Sequence, residues 1–212
     1  MRAALPPLAA LGVAATGLLI AWQVTLGFQA FTWESYRRIA VARTPIAVPD
    51  VTLQTHTGKR MSLPAADGRL QLVNFFYSRC QTLCRYSGTV YARLLQTIEQ
   101  RGWQDRIRLI SLSLEPDYDA PARLRDYRQR YRPANDAPWI TARSRSDADQ
   151  QRLLEAFGVV SIPDPWGGIQ HNAAIHLVDR DGRLIRIIDD TDFEHVLAQI
   201  TPLLEQHVAS AH

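Results

Sequence analysis

The hydrophobic and polar positions of the chain predict strands and helices that alternate through its middle. Residues 70–77 form an apolar run of strand-forming residues, and apolar positions then recur at helical spacing over 81–101. A second apolar strand is predicted over 106–114, followed by helices over 121–131 and 147–157. This order predicts an α/β domain whose central sheet carries helices on both faces.

Shorter elements complete this layout. They are the strands 48–54 and 60–63 of an N-terminal hairpin, a strand over 139–142, the strands 173–179 and 183–188 of a second hairpin, and a closing helix over 192–208. Residues 161–170, rich in proline and glycine, are expected to form a loop. The whole order is that of a thioredoxin-type domain with an N-terminal β-hairpin and one inserted helix.

Two helix ends carry typical capping residues. Asp119 is placed to cap the helix over 121–131, which has Pro121 in its first turn. Gly158 is expected to end the helix over 147–157.

The N-terminal region is predicted to be a membrane anchor. Residues 8–28 contain no charged side chain, and such a run is long enough to cross a hydrocarbon core of ~30 Å as a helix. No Ala-x-Ala site follows soon after the run, so an uncleaved transmembrane helix is favoured over a signal peptide. We therefore predict an anchor over 1–30, a stalk over 31–44 and a folded domain over 45–208.

Composition limits which cellular compartment and which partners are compatible with the sequence. Lys+Arg 24 against Asp+Glu 21 gives a net charge of +3, and the arginines are scattered without a dense basic run, which argues against nucleic acid as a partner. The chain has two cysteines. A single cysteine pair next to a membrane anchor suits a domain in the periplasm.

Those two cysteines, Cys80 and Cys84, lie between the predicted strand and the predicted helix. A separation of four places both side chains on one side of a first helical turn, close enough for a disulfide or a shared metal ion. The helix start also favours thiolates. The pair could be structurally inert, redox-active or metal-binding. A structural disulfide across so short a loop would stabilise little.

A general disulfide oxidoreductase is disfavoured by two features of the sequence. Thioredoxin-type enzymes have two residues between their cysteines, and this chain has three. Those enzymes also carry a proline just before the third main strand, where this chain has Gln170, His171 and Asn172. Soft thiolates suit Cu(I) or Zn(II), but two sulfurs alone bind weakly, so a third ligand is expected.

His171 is the best candidate for that ligand. The predicted fold brings the loop that ends at His171 to the same edge of the sheet as the cysteine loop, with Gly167 and Gly168 giving it room. The other histidines lie in a turn, mid-strand, on the last helix or at the chain end: His56, His176, His195, His207 and His212. Two thiolates and one imidazole suit three-coordinate Cu(I), whereas structural zinc usually takes a fourth ligand.

Three segments together resemble the Sco/SenC copper-chaperone family. The first is Phe-Phe-Tyr-Ser-Arg-Cys80-x-x-x-Cys84, which matches that family's C-x-x-x-C loop. The second, 110–121, is similar to its Asp-Pro-x-x-Asp-x-Pro segment, and the third, 171–182, to its histidine-bearing strand and hairpin. The resemblance covers about residues 45 to 205.

The resemblance implies a copper ion held by Cys80, Cys84 and His171 in a thioredoxin-like domain. It implies a chaperone anchored by one helix in the inner (cytoplasmic) membrane, with its domain in the periplasm. The implied partners are a periplasmic copper donor and the copper-accepting subunit of cytochrome c oxidase or another copper enzyme. The alternative is a thiol–disulfide reductase that acts through Cys80 and Cys84 on the cysteines of such a partner, so enzymatic activity stays open.

The sequence departs from the family pattern beside the cysteines. Gln81 and Arg85 stand where the family usually has prolines, and Glu115 replaces the first acidic residue of the second segment. Loss of the prolines predicts a less rigid loop. The positive charges of Arg79 and Arg85 are expected to favour thiolates.

Overall fold

The computed structural model describes residues 7–80, 83–131, 137–165, 168–189 and 192–209, with side chains omitted at 7–8, 83–85 and 206–209. The chain divides into two compact units, Met1–Thr44 and Pro45–His212.

Over the residues described, 7–44, the first unit contains the helices α1 (Pro7–Val24) and α2 (Trp33–Arg43). A capping box opens α2, in which Thr32 Oγ1 accepts a hydrogen bond from Ser35 N and Ser35 Oγ accepts one from Thr32 N, both at 3.1 Å. The segment predicted as a stalk, 31–44, thus contains the helix α2.

The transmembrane helix expected over residues 8–28 is not found. The apolar run is helical only as far as Val24, and the turns that follow include a 2.7 Å hydrogen bond from Gly27 N to the Trp22 carbonyl. The 18 residues of α1 extend about 27 Å, short of a ~30 Å hydrocarbon core. Within the part of the chain that the structure describes, no helix combines the length and apolarity needed to cross a membrane.

The second unit is built on an eight-stranded sheet in the order β1-β10-β9-β4-β5-β6-β2-β3. Its elements are β1 (Ile46–Ala47), β2 (Val51–Thr55), β3 (Arg60–Leu63), β4 (Leu70–Phe76), α3 (Leu83–Gln100), β5 (Ile107–Ser113), α4 (Pro121–Gln129), β6 (Trp139–Arg143), α5 (Asp147–Phe157), β7 (Ser161–Pro163), β8 (Ile169–His171), β9 (Ile175–Val178), β10 (Arg183–Ile188) and α6 (Phe193–Ala209). Strands β4, β5 and β6 are parallel, and β9 runs antiparallel to β4.

The central strand β4 is buried at every position, because helices cover both faces of the sheet. Alternate residues such as Leu72 and Phe76 join a core with α3, α4 and α6, where the Phe76 ring stacks on Tyr127 at 4.2 Å. On the opposite face Phe75 meets Phe157 of α5 at 5.4 Å. The predicted α/β class with helices on both faces is confirmed.

Three local predictions have different outcomes. Gly158 ends α5 in the left-handed conformation, with φ of 59°, as predicted. Residues 161–170, expected to be loop, instead contain β7 and most of β8, which pair as a separate two-stranded sheet. Asp119 does not cap α4: the N-cap is Ala120, which makes no side-chain capping bond.

Candidate metal centre

Two segments that carry predicted ligands leave the central sheet at the same edge. Strands β4 and β9 are antiparallel neighbours in which Asn74 pairs with Ile175. Cys80 follows shortly after the end of β4, and His171 comes shortly before the start of β9. The topology therefore brings the two segments together at one edge, as the sequence analysis expected.

Cys80 is buried, with 7% of its surface exposed, and belongs to the main hydrophobic core. Its backbone N–H donates to the Tyr77 carbonyl at 3.1 Å, which turns the chain sharply after the strand. Cys84 lies in the first turn of α3, which begins at Leu83. Its side chain lies outside the described residues, but this backbone position is one where the helix dipole favours a thiolate.

Ser78, two residues before Cys80, is tied to the buried carboxylate of Asp119. The Ser78 backbone N–H donates to Asp119 Oδ2 at 3.2 Å, and the Ser78 hydroxyl donates to Asp119 Oδ1. Ser113 Oγ, at the end of β5, donates to Asp119 Oδ2 at 2.5 Å. Asp119 is fully buried, so it links the cysteine loop to the segment between β5 and α4.

Arg79 is paired with a carboxylate instead of presenting an uncompensated charge to Cys80. Its Nε donates to Glu115 Oε2 at 2.8 Å and its Nη2 bonds the other carboxylate oxygen. This hydrogen bonding with Glu115 raises the pKa of the Arg79 guanidinium. Arg79 also lies over the Tyr118 ring, 4.7 Å from its centroid. The expectation that Arg79 favours the thiolate is therefore weakened, and the Arg85 side chain lies outside the described residues.

His171 is the last residue of β8, where it pairs with Ser161 of β7, and its side chain is half-buried. The next residue fixes the segment: Asn172 Oδ1 accepts from Val160 N at 2.7 Å, and Asn172 Nδ2 donates to the Gly158 carbonyl at 3.0 Å. The strand β8 and Asn172 thus hold the backbone on both sides of His171. Gly167, which was expected to give this loop room, lies outside the described residues.

Two other histidines are engaged in packing. His176, in β9, is fully buried between the rings of Phe75 and Phe157, at 5.7 and 5.2 Å, with Nδ1 3.3 Å from the Val73 carbonyl oxygen. His56 is buried beside Thr141, and this burial lowers the pKa of its imidazole. The side chain of His195 is exposed on α6.

The donor chemistry suits copper. A cysteine thiolate and an imidazole are soft and intermediate ligands, the combination that Cu(I) accepts. Among the side chains that the structure describes, no group of three or more His, Cys, Asp and Glu could hold a metal ion. Cys84 is not among those side chains, so the ligand set Cys80, Cys84 and His171 stays a prediction.

The sequence analysis did not predict the hydrogen bonds that support this edge. Asp119 was interpreted as a helix cap and as part of the segment 110–121 that resembles the family, and Ser78 and Ser113 were not singled out. Asn172 was noted only as part of the segment around His171. The signal that could have found Ser78 is its position between the buried strand and the first cysteine, where a polar side chain needs a partner.

Comparison with known proteins identifies a family model and a relative that match most of this chain. The SCO1/SenC family model matches residues 42–205. The SCO1 protein homolog of Bacillus subtilis (strain 168) is 23% identical over 158 residues, which cover 72% of this chain and 80% of that protein.

Solved structures show a similar fold. Arabidopsis thaliana ScoI with copper bound has a TM-score of 0.65 at 15% identity, covering 76% of this chain and 99% of that one. BsSco, described with a disulfide switch as a member of the Sco family of cytochrome c oxidase assembly proteins, has a TM-score of 0.65 at 21% identity, covering 76% of this chain and 95% of that one.

Proposed function

This chain belongs to the SCO1/SenC family, and on that premise we propose that it is a copper chaperone for the copper centre of cytochrome c oxidase. Copper is held by Cys80, Cys84 and His171. The protein receives copper from a donor outside the cytoplasm and passes it to the copper-accepting oxidase subunit. Relatives of this family have been solved with copper bound.

The observation that supports this proposal best is the shared edge of β4 and β9. Buried Cys80 comes just after β4 and half-buried His171 shortly before β9, so both lie at the same end of two adjacent strands. A purely redox pair would have no need of an imidazole from a segment so far along the chain. A thiolate–imidazole set has the chemistry of a Cu(I) site.

Anaerobic titration of the reduced full-length protein with Cu(I), against a chromophoric chelator, should give one ion bound per chain. We expect His171→Ala to weaken Cu(I) binding at least about tenfold, because two thiolates would remain without their third ligand. His195→Ala is the matched control, since His195 is exposed on α6. Unchanged affinity and stoichiometry in His171→Ala would exclude the proposed site.

The alternative function is reduction of a partner's disulfide before that partner takes copper. It is favoured by the position of Cys84 in the first turn of α3, where a thiolate is stabilised. In this step the Cys80 and Cys84 thiols become a disulfide, and the partner disulfide becomes two thiols, with two electrons and two protons transferred. Single-turnover mixing with the oxidised copper-accepting domain decides this alternative, which is rejected if no thiols appear on the partner.

We also propose that the protein acts at the periplasmic side of the cytoplasmic membrane, attached through its first unit. Leu11, Leu18 and Ile20 of α1 are 67%, 63% and 57% exposed, an apolar surface that water disfavours. Full-length protein should sediment with membranes after a wash in buffer, and serine at these three positions should release it. A C-terminal alkaline phosphatase fusion should be active. Wild-type protein in the wash, or an inactive fusion, would refute this location.

A further inference from the structure

We propose that Asp119 is a positioning residue of the metal site: its buried carboxylate fixes the peptide of Ser78 and thereby sets the position of the Cys80 sulfur. The inference rests on the proposed copper function for its first test only. It assigns to Asp119 a task that its expected place as a helix cap would not require.

Asp119 is a carboxylate that the fold has buried among neutral donors. It is 0% exposed and accepts hydrogen bonds from Ser78 N, Ser78 Oγ and Ser113 Oγ. Within the described ranges no salt bridge involves Asp119, although its charge attracts the guanidinium of Arg79, which Glu115 binds. A buried carboxylate must be satisfied by several donors, so losing any one of these hydrogen bonds should disturb the position of Ser78.

Hydrogen bonds restrict the conformation of the chain from Ser78 to Cys80. Both donors of Ser78 go to Asp119, and the Ser78 carbonyl accepts from Arg130 Nη1 at 3.4 Å. Arg79 is held by Glu115, and the Cys80 N–H donates to Tyr77. Three consecutive residues, up to and including the cysteine, are thus fixed by side chains or by the preceding turn.

The hydrogen bonds on the N-terminal side of Cys80 hold the segment that carries the ligand. Asp119 binds the backbone N–H and the hydroxyl of Ser78, and Glu115 binds the side chain of Arg79. Groups that orient a metal ligand from behind typically change metal affinity 10–100-fold when they are removed.

The test compares Asp119→Asn with Asp117→Asn in the full-length protein. Both changes remove one carboxylate charge from the same loop, but Asp117 is exposed. Asparagine at 119 offers one acceptor oxygen instead of two, so at least one of the three donors loses its partner. We expect Asp119→Asn to weaken Cu(I) binding about tenfold or more and to shift the thiolate-to-Cu(II) absorption band. Asp117→Asn should stay within about twofold, as a surface change does.

Circular dichroism and the unfolding midpoint establish that each variant is folded. A folded Asp119→Asn protein with wild-type affinity and an unshifted band would overturn the inference. If Asp119→Asn does not fold, the inference is tested with Ser78→Ala instead. Loss of its one hydroxyl hydrogen bond should weaken Cu(I) binding about threefold. Wild-type affinity in folded Ser78→Ala would then overturn it.

A second measurement keeps this inference separate from the copper proposal. If the wild-type protein binds no Cu(I), the proposed function fails, and the equilibrium of the Cys80–Cys84 pair with glutathione is measured instead. A displaced Cys80 should shift that equilibrium constant at least about threefold in Asp119→Asn. An unchanged constant would mean that Asp119 does not position Cys80.

Discussion

Trp139→Ala should lower the free energy of unfolding by about 3–5 kcal/mol, the cost of removing a large aromatic side chain from a packed core. Trp139 is 0% exposed and is among the largest fully buried side chains. Its ring lies 5.7 Å from Tyr91 of α3 and 5.5 Å from Tyr131. Trp139 therefore joins the sheet to α3, the helix that begins at the cysteine loop. Removing its side chain should for this reason also disturb the candidate metal centre.

Urea denaturation followed by circular dichroism measures this effect. Domains of this kind are stable by about 5–15 kcal/mol, so Trp139→Ala risks complete unfolding. Trp139→Phe is the milder variant, and Ser111→Ala removes only the partner of the 3.0 Å hydrogen bond from Trp139 Nε1 to Ser111 Oγ. A loss below about 1.5 kcal/mol in Trp139→Ala would mean that the core does not depend on this ring.

The sequence was sufficient to predict those elements whose signal is local and repeated. Strand β4 and helix α3 were predicted because a buried apolar run is followed by apolar residues at helical spacing. Gly158 was predicted as a helix end because a left-handed residue there favours glycine. Each of these features depends on neighbours within one or two turns of the chain.

Asp119 shows why a local signal can mislead. An acidic residue two positions before a proline at a helix start has the sequence of a cap. Its side chain instead turns inward, because Ser78 and Ser113 offer three donors that come together only in the folded sheet. No local pattern distinguishes a carboxylate that caps a helix from one that accepts such distant donors.

The candidate site was predictable in topology and not in detail. The antiparallel arrangement of β4 and β9, which follows from the order of elements, is enough to bring the segments of Cys80 and His171 to one edge. The pairing of Arg79 with Glu115 was not predicted, since it joins two loops through side chains alone. The strands β7 and β8 were missed because three-residue strands carry too little periodicity.

Gly182→Ala is expected to cost about 2–4 kcal/mol, from two effects that add at one position. The turn between β9 and β10 holds Gly182 at φ of +75°, which disfavours any residue with a Cβ. A Cβ built there would also lie 2.6 Å from Pro64 Cγ and 3.1 Å from Pro64 Cβ. The proline ring cannot rotate aside as a long side chain would, so the backbone must move.

Gly58→Ala separates the two effects. Gly58 has φ of +81° and nothing within 4 Å of its built Cβ, so alanine there carries the conformational cost alone, about 1–2 kcal/mol. Urea denaturation of both variants should therefore show the larger loss in Gly182→Ala, by at least about 1 kcal/mol. Equal losses would mean that Pro64 yields to the new methyl group. The Asp-Gly sequence predicts the turn, whereas the contact with Pro64 depends on a loop more than a hundred residues earlier, so only the folded chain explains why alanine is disfavoured here beyond its conformational cost.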